Sequence, residues 1–248
     1  SIVLHYRNIT EEKQLQKKLM HSEKMAAVGT LAGGVAHEVN NPIAGILAFT
    51  QLVLKQLGEG HECYPDLKEI EDAARRCKKI VSDLLVFSRD QAHEEKRNIH
   101  LSEVIQKTMS IIEMNSRSAD VELVTELSED LPPVQGDFNK LQQVVLNFVS
   151  NAMHAMKDSG GKLTVVTSCS KNQQKVFLKI KDTGVGIDKD LLDKIFNPYF
   201  TTKEPGEGTG LGLSICYKII EEHKGKIDVQ SKPGKGTQVT LQLPANCL

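Results

Sequence analysis

An apolar or small residue recurs at Met25, Val28, Ala32, Val35, Val39, Pro42, Ile46, Phe49 and Val53, in steps that alternate three and four without a miss. A second run steps the same way through Leu67, Ile70, Ala74, Cys77, Val81, Leu84 and Ser88. Spacing of this kind over many turns is that of helices packed side by side along a heptad seam. Gly58-Glu59-Gly60-His61-Glu62 breaks the period between the runs, and Pro65 is well placed just inside the start of a second helix. The pattern predicts a helical hairpin whose apolar face is widened by Leu31, Ile43, Leu47, Leu54, Ile80 and Phe87. Two helices alone bury so wide a face poorly. Pairing two hairpins into a four-helix bundle would bury it, so the spacing predicts a homodimer. The alternative is a single hairpin docked on the rest of its own chain.

With the seam at heptad positions a and d, His37 falls at the outermost position f. A lone histidine there is usually solvated surface, but its surroundings break helix rules. Glu38 is adjacent, Asn41 lies one turn on, Pro42 removes a backbone donor, and Gly33 and Gly34 sit one turn upstream. Local rule-breaking around one exposed histidine marks a functional site. A neutral imidazole is a competent nucleophile near pH 7, a neighbouring carboxylate can orient it or take its proton, and an amide one turn away can position a water.

From about residue 96 the texture changes. Short alternating or apolar runs at 98–101, 121–127, 162–168, 175–181, 226–231 and 237–243 read as strands, and 102–116, 139–157, 190–196 and 211–223 read as helices, with Asp137 a convincing cap for the second. This predicts a mixed sheet covered on one face by helices, joined to the hairpin by the polar stretch 89–97. The 31 Lys and Arg against 32 Asp and Glu, with 11 aromatics and no Trp, argue against a nucleic-acid binder. No apolar run approaches a membrane span, so no membrane contact is expected of this fragment. Five widely spaced cysteines without a CxxC pair are expected to be reduced, in a cytoplasmic compartment.

Three segments of this half carry chemistry. Asp182-Thr183-Gly184-Val185-Gly186-Ile187 follows a strand directly, and its glycines permit close backbone approach to a ligand. Gly206-Glu207-Gly208-Thr209-Gly210-Leu211-Gly212-Leu213 opens a helix, where exposed backbone donors suit a phosphate. It is neither a Walker loop nor a dinucleotide-binding fingerprint. Asn147, Asn151 and His154 share a face of an otherwise apolar helix, and an amide oxygen there suits Mg²⁺. Each segment alone has an ordinary reading as a turn, a flexible loop or a polar helix face. Their co-occurrence predicts a nucleotide site.

These residues resemble the catalytic core of a two-component sensor histidine kinase. Gly33-Gly34-Val35-Ala36-His37-Glu38-Val39-Asn40-Asn41-Pro42 is similar to the family's phospho-acceptor H box, and Asn147 to Met156 to its N box. Asp182 to Ile187 resembles the first glycine box, Phe196-Asn197-Pro198-Tyr199-Phe200 the F box, and Gly208 to Leu213 the second glycine box. Five motifs in the family's order make the likeness specific, and it extends to Gly234-Lys235-Gly236-Thr237. The wording Asn-Pro-Tyr-Phe-Thr-Thr-Lys is closest to the nitrogen-regulatory subgroup. Arg7-Asn8-Ile9-Thr10-Glu11-Glu12-Lys13 resembles the exit from a PAS sensor domain, with Ser1 looking like a cut inside a longer sensor.

The resemblance implies an α plus α/β architecture: 1–23 the end of an upstream sensor domain and signalling helix, 24–95 a dimerisation and histidine-phosphotransfer hairpin, and 96–248 a Bergerat-type α/β sandwich that binds ATP. His37 would attack the γ-phosphate of ATP, with Glu38 as base or orienting group, and the phosphoryl group would pass to an aspartate of a response regulator receiver domain. Asn41 would aid hydrolysis of that phosphorylated regulator. Asp182 would accept from the adenine amino group, Gly184 and Gly186 would pack by the base, and Ile187 and Thr237 would also be ATP-binding. Asn151 would coordinate Mg²⁺, with Asn147 close by and His154 near the phosphates, where the family often has lysine or arginine. Residues 197–210 would form an ATP lid with Lys203 reaching the phosphates, and Phe196, Gly208, Thr209, Gly210, Leu211 and Gly212 would also be ATP-binding. The rivals are an ATP hydrolase of the gyrase, Hsp90 and MutL type and a nucleotide-binding scaffold. The first gives His37 no role and often has a glutamate where this chain has Asn147; the second leaves a complete motif set unexplained.

Overall fold

The structure, a computed structural model, describes residues 38–88, 97–115, 121–203 and 208–246. His37, the sensor-domain exit, the first half of the seam and most of the 89–97 linker lie outside the described residues. The described residues divide between two compact units, one holding 38–88 with 208–211, the other 97–203 with 212–246.

In the first unit, α1 (residues 38–57) and α2 (Tyr64–Ser88) form the expected hairpin. The helices meet along Ile43, Leu47, Ala74 and Val81, with Val39 packed alongside. Within the single hairpin, α1 buries the widening positions of the expected face and not its a and d positions. The buried positions there are Ile43, Leu47, Thr50 and Leu54, each one residue beyond an a or d position. Ile46 and Phe49, which the heptad count put inside, are 47% and 72% exposed. A helix has one face toward its hairpin partner, and a second apolar stripe about 100° round the axis cannot share it. Leu52, Ile70 and Ile80 are exposed too, so the hairpin carries an uncovered apolar stripe.

Among the described residues of this hairpin, Glu71 is a buried carboxylate. Glu71 accepts from Gln51 Nε2 of α1 at 2.9 Å, and Lys68 Nζ at 2.7 Å and the Arg75 guanidinium flank it on α2. The bonds from Lys68, Gln51 and Arg75 hold its carboxyl down to about 2. The unfolded chain leaves a glutamate near ~4.3, so folding favours the carboxylate. That contribution is complete above the unfolded value and is lost as pH falls from about 4 toward 2. Circular-dichroism melts are therefore expected to show hairpin stability falling over that window in the wild type. Glu71→Gln is expected to melt lower at neutral pH and to lose most of the acid dependence; an acid limb as steep as the wild type's would assign it to another group.

The second unit is a two-layer α/β sandwich. A five-stranded sheet runs β2 (Val121–Glu126), β4 (Gly161–Cys169), β5 (Lys175–Lys181), β7 (Gly236–Pro244), β6 (Lys226–Lys232) in spatial order. Only β2–β4 is parallel, as expected of a pair joined by a helical crossover. The register stacks apolar residues on one face: Val165 opposite Ile180 opposite Val239, then Leu178 opposite Leu241 and Val176 opposite Leu243. All are buried, whereas Lys179, Lys181, Thr240 and Gln238 pair on the other face. A one-residue slip would exchange the two sets, so the alternation fixes the register.

Helices α3 (Leu101–Asn115), α4 (Phe138–Ala155) and α6 (Gly212–Glu222) supply the second layer, with α4 between the other two. Leu141, Val144, Val145, Phe148, Val149 and Ala152 make the buried face of α4. Asp137 caps it as expected, Oδ1 accepting from Asn139 N at 2.7 Å and Lys140 N at 3.1 Å. Buried His223, just past α6, accepts from Asp137 N at Nε2 (3.0 Å) and faces Ile219 O with Nδ1 (2.7 Å). Burial lowers its pKa, in keeping with a neutral ring.

Three local expectations are corrected. The helix expected at 190–196 is a single turn, α5 (Lys189–Leu192), which continues as tighter turns, Lys194 N donating to Leu191 O at 2.8 Å and Asn197 N to Lys194 O at 2.9 Å. The strand expected at 98–101 is β1 (Arg97–Ile99), and Leu101 already belongs to α3. β3 (Val134–Gly136), paired with β1, has no counterpart among the expected strands. Among the described residues no helix is long and apolar enough to cross a membrane.

Candidate functional site

β5 ends at Lys181, and the next residue is the buried Asp182. Its Oδ1 accepts from the backbone N–H of Gly184 at 2.9 Å and of Thr237 at 3.1 Å, and its own N–H donates to Thr237 O at 2.9 Å. Burial pushes the carboxyl above the ordinary aspartate range, and the Gly184 and Thr237 amides pull it back. Both amides bind the same oxygen, so Oδ2 is the better placed to meet a ligand.

The glycines after Asp182 are required by packing. A Cβ at Gly184 would lie 2.5 Å from Ala155 O at the end of α4, and Val185 N donates to that same oxygen at 3.1 Å. Gly186 has φ +72°, and a Cβ there would strike Lys232 O. Ile187 N donates to Ser231 Oγ at 2.8 Å, and Ser231 also meets Gly236 O (3.0 Å) and Thr237 Oγ1 (2.9 Å). The 182–187 loop is thus bolted to α4 on one side and to the β6–β7 hairpin on the other. Ser231 escaped the sequence reading because it falls within a plain alternating strand.

The polar face of α4 reaches the same place. His154 precedes Ala155, Asn151 lies one turn before Ala155, and both are half-buried. Asn147 and Asn151 are put to different uses. Asn147 Nδ2 donates to Gly212 O at 3.2 Å and points at Cys216 Sγ at 3.6 Å, tying the first turn of α6 to α4. Asn151 offers its Oδ1 to a cation: Lys203 Nζ donates to it at 3.0 Å. Thr201 Oγ1 accepts from Lys203 N at 3.1 Å, turning the chain just before that lysine. Phe196 packs on Tyr217 of α6, ring centroids 5.6 Å apart.

The second unit therefore brings together Asn147, Asn151, His154, Asp182, Gly184, Gly186, Ile187, Phe196, Lys203, Gly212 and Thr237. Gly208, Thr209, Gly210 and Leu211 lead into α6; Gly210 has φ +66° and Thr209 Oγ1 accepts from Leu211 N at 3.2 Å. Glu38 and Asn41 are exposed on α1 in the other unit. Part of the expected 197–210 lid, residues 204–207, lies outside the described residues.

The donor set fits a nucleotide with a divalent ion. A buried carboxylate is steered by two amides, glycines keep the neighbouring backbone free of side chains, and a carboxamide oxygen already takes a cationic partner. Mg²⁺ binds few protein oxygens and fills its shell with phosphates and water, which one amide oxygen satisfies.

Comparison with known proteins agrees with both units. Residues 27–93 match the His Kinase A (phospho-acceptor) domain, and residues 136–246 match the histidine kinase-, DNA gyrase B-, and HSP90-like ATPase family. Sporulation kinase E of Bacillus subtilis strain 168 is 35% identical over 241 residues, 96% of this chain and 31% of that protein. The chain thus spans under a third of the length of that relative. The solved catalytic domain of histidine kinase ThkA is 34% identical with a TM-score of 0.54, over 61% of this chain and 97% of that one. Histidine kinase ThkA in complex with response regulator protein TrrA is 28% identical with a TM-score of 0.64, over 97% of this chain and 68% of that one.

Proposed function

The chain belongs to the two-component sensor histidine kinases, as the catalytic core of one, and from that premise we propose that it phosphorylates His37 from ATP and passes the phosphoryl group to a response regulator. The observation that carries the nucleotide half is Asp182, a buried carboxylate with Oδ1 held by two amides. In this reading Oδ2 accepts from the adenine amino group, with Gly184, Gly186, Ile187 and Thr237 around the base. Asn151 holds Mg²⁺, which supplies charge neutralisation on the phosphates. His154 and Lys203 face the phosphates, and Asn147 steadies the start of α6 at Gly212.

The chemical step forms a bond from a His37 ring nitrogen to the γ-phosphorus as the bond to the β-phosphate oxygen breaks, and ADP leaves. Glu38 takes or orients the proton on the other ring nitrogen, so the imidazole attacks neutral and phosphohistidine results. Catalysis is then mostly positioning and charge neutralisation. Transfer to the regulator moves the phosphoryl group from nitrogen to a receiver aspartate. What supports that partner is the family and the ThkA–TrrA complex on which the chain aligns.

We also read 24–95 as a dimerising phosphotransfer hairpin after the end of a PAS-like segment (1–23), with 96–248 the ATP-binding domain, in a nitrogen-regulatory-like kinase working on cytoplasmic ATP. The uncovered stripe of Ile46, Phe49, Leu52, Ile70 and Ile80 supports a homodimeric four-helix bundle. Incubation with γ-labelled ATP and Mg²⁺ tests the function: acid-labile, base-stable label on the protein supports it, whereas free phosphate without protein label would favour a hydrolase. Asn41, exposed on α1 and four residues after His37 in the sequence, is read as positioning water for hydrolysis of the phosphorylated regulator. Asn41→Ala is expected to slow that dephosphorylation about tenfold or more while self-labelling stays at the wild-type rate. Equal dephosphorylation by variant and wild type would remove Asn41 from this role.

A further inference from the structure

Asn151 and Lys203 come from distant parts of the second unit, α4 and the segment after α5, yet Lys203 Nζ lies 3.0 Å from Asn151 Oδ1. Both side chains are half-buried. The contact uses the amide's acceptor, the only atom of that side chain that can bind a metal. One turn back, Asn147 spends its donor on Gly212 O, whereas Asn151 has its oxygen turned to a cation.

We propose that Lys203 is a resident cation that occupies the Asn151 oxygen until a divalent ion arrives with nucleotide and displaces it. This rests on the reading of Asn151 as the metal-binding residue. An ammonium and a divalent ion cannot share one amide oxygen without strong repulsion, because their charges would sit only a few ångströms apart. Metal binding is therefore coupled to release of Lys203. Nucleotide phosphates supply the alternative acceptor that makes the release favourable, so the metal is taken up with nucleotide and poorly without it. The same lysine guards the oxygen first and neutralises phosphate charge afterwards.

Titration of Mn²⁺ into the ADP-saturated full chain, read by the electron-paramagnetic signal of free Mn²⁺, tests this in wild type, Lys203→Met, Asn151→Ala and the double variant. Asn151→Ala is expected to weaken Mn²⁺ binding about tenfold or more; no weakening would overturn the reading of Asn151 itself. Lys203→Met is expected to tighten Mn²⁺ binding about threefold or more on the wild-type background and to have no such effect when Asn151 is alanine. Unchanged or weaker binding in Lys203→Met would overturn the proposal. So would equal tightening on both backgrounds, which is what a through-space charge effect gives. Lys203→Arg, which keeps a cationic donor for the oxygen, is expected to restore wild-type affinity.

Discussion

A His37→Ala variant is expected to accept no phosphoryl label from ATP while binding the nucleotide with wild-type affinity. The expectation rests partly on what the other histidines are doing. His223 is buried with Nε2 accepting from Asp137 N and Nδ1 against Ile219 O, so neither nitrogen is available to attack phosphorus. His61 Nδ1 accepts from Cys63 N at the hairpin turn. His154 lies on the face of α4 where the phosphates are read to bind, and in that reading it is a charge partner, not the acceptor. His37 alone has a carboxylate beside it, an amide one turn on and a helix-breaking proline after that. Removing a covalent nucleophile leaves no alternative path to the same phosphoprotein, so the loss is total, not graded. Asp182, Asn151 and Lys203, which carry the proposed nucleotide contacts, belong to the other unit, so the affinity is expected to be untouched. Residual acid-labile label above a tenth of the wild-type level would mean that another histidine accepts the group. Unlabelled protein that also fails to bind nucleotide would point to misfolding instead.

Much of this organisation is written in local pattern. The alternation of β4, β5 and β7 marks the face they bury, and Asp137 announces the start of α4, because both depend on neighbours within a turn or a strand. Three elements were illegible for physical reasons. β3 is only three residues between Pro132-Pro133 and the Asp137 cap, too short to show a period, and it exists by pairing with β1. α5 carries apolar positions that suit a longer helix, but after Leu192 the chain tightens into three-residue turns, which periodicity does not distinguish from a helix. On α1 two apolar stripes lie side by side, and a heptad count finds an apolar stripe without saying which partner it meets. The hairpin chose Ile43 and Leu47 and left Ile46 and Phe49. The site divides the same way. Asp182 and its glycines are legible from composition and order. The pairing of Lys203 with Asn151 spans 52 residues, and only the folded chain brings it about. Ser231, which ties Ile187 to Thr237, left no mark in the sequence.

Asp182→Asn offers a cleaner dissection of the nucleotide site than a truncation. The asparagine keeps an oxygen at the position of Oδ1, so the bonds from Gly184 N and Thr237 N survive and the loop stays in place. The change falls on the other atom: in the proposed reading an acceptor facing the adenine amino group becomes an NH₂ donor, and two donors then oppose each other in a buried site. Loss of a charge-assisted bond together with an unsatisfied buried donor is expected to weaken ATP binding about a hundredfold or more. Guanosine or inosine nucleotides, which present a carbonyl where adenine has the amine, should gain on ATP in the variant. Titration with a fluorescent ATP analogue reads the loss directly, and competition with inosine triphosphate reads the reversal. Retained affinity for ATP would remove Asp182 from base recognition. The raised pKa adds a pH dependence of fixed sign. Burial favours the protonated carboxyl in the free protein, and adenine's amine needs the carboxylate, so protons compete with nucleotide. Affinity for ATP should therefore fall with acidification sooner than an ordinary aspartate would make it. In Asp182→Asn this part of the acid dependence should be absent, since the amide takes up no proton in this range.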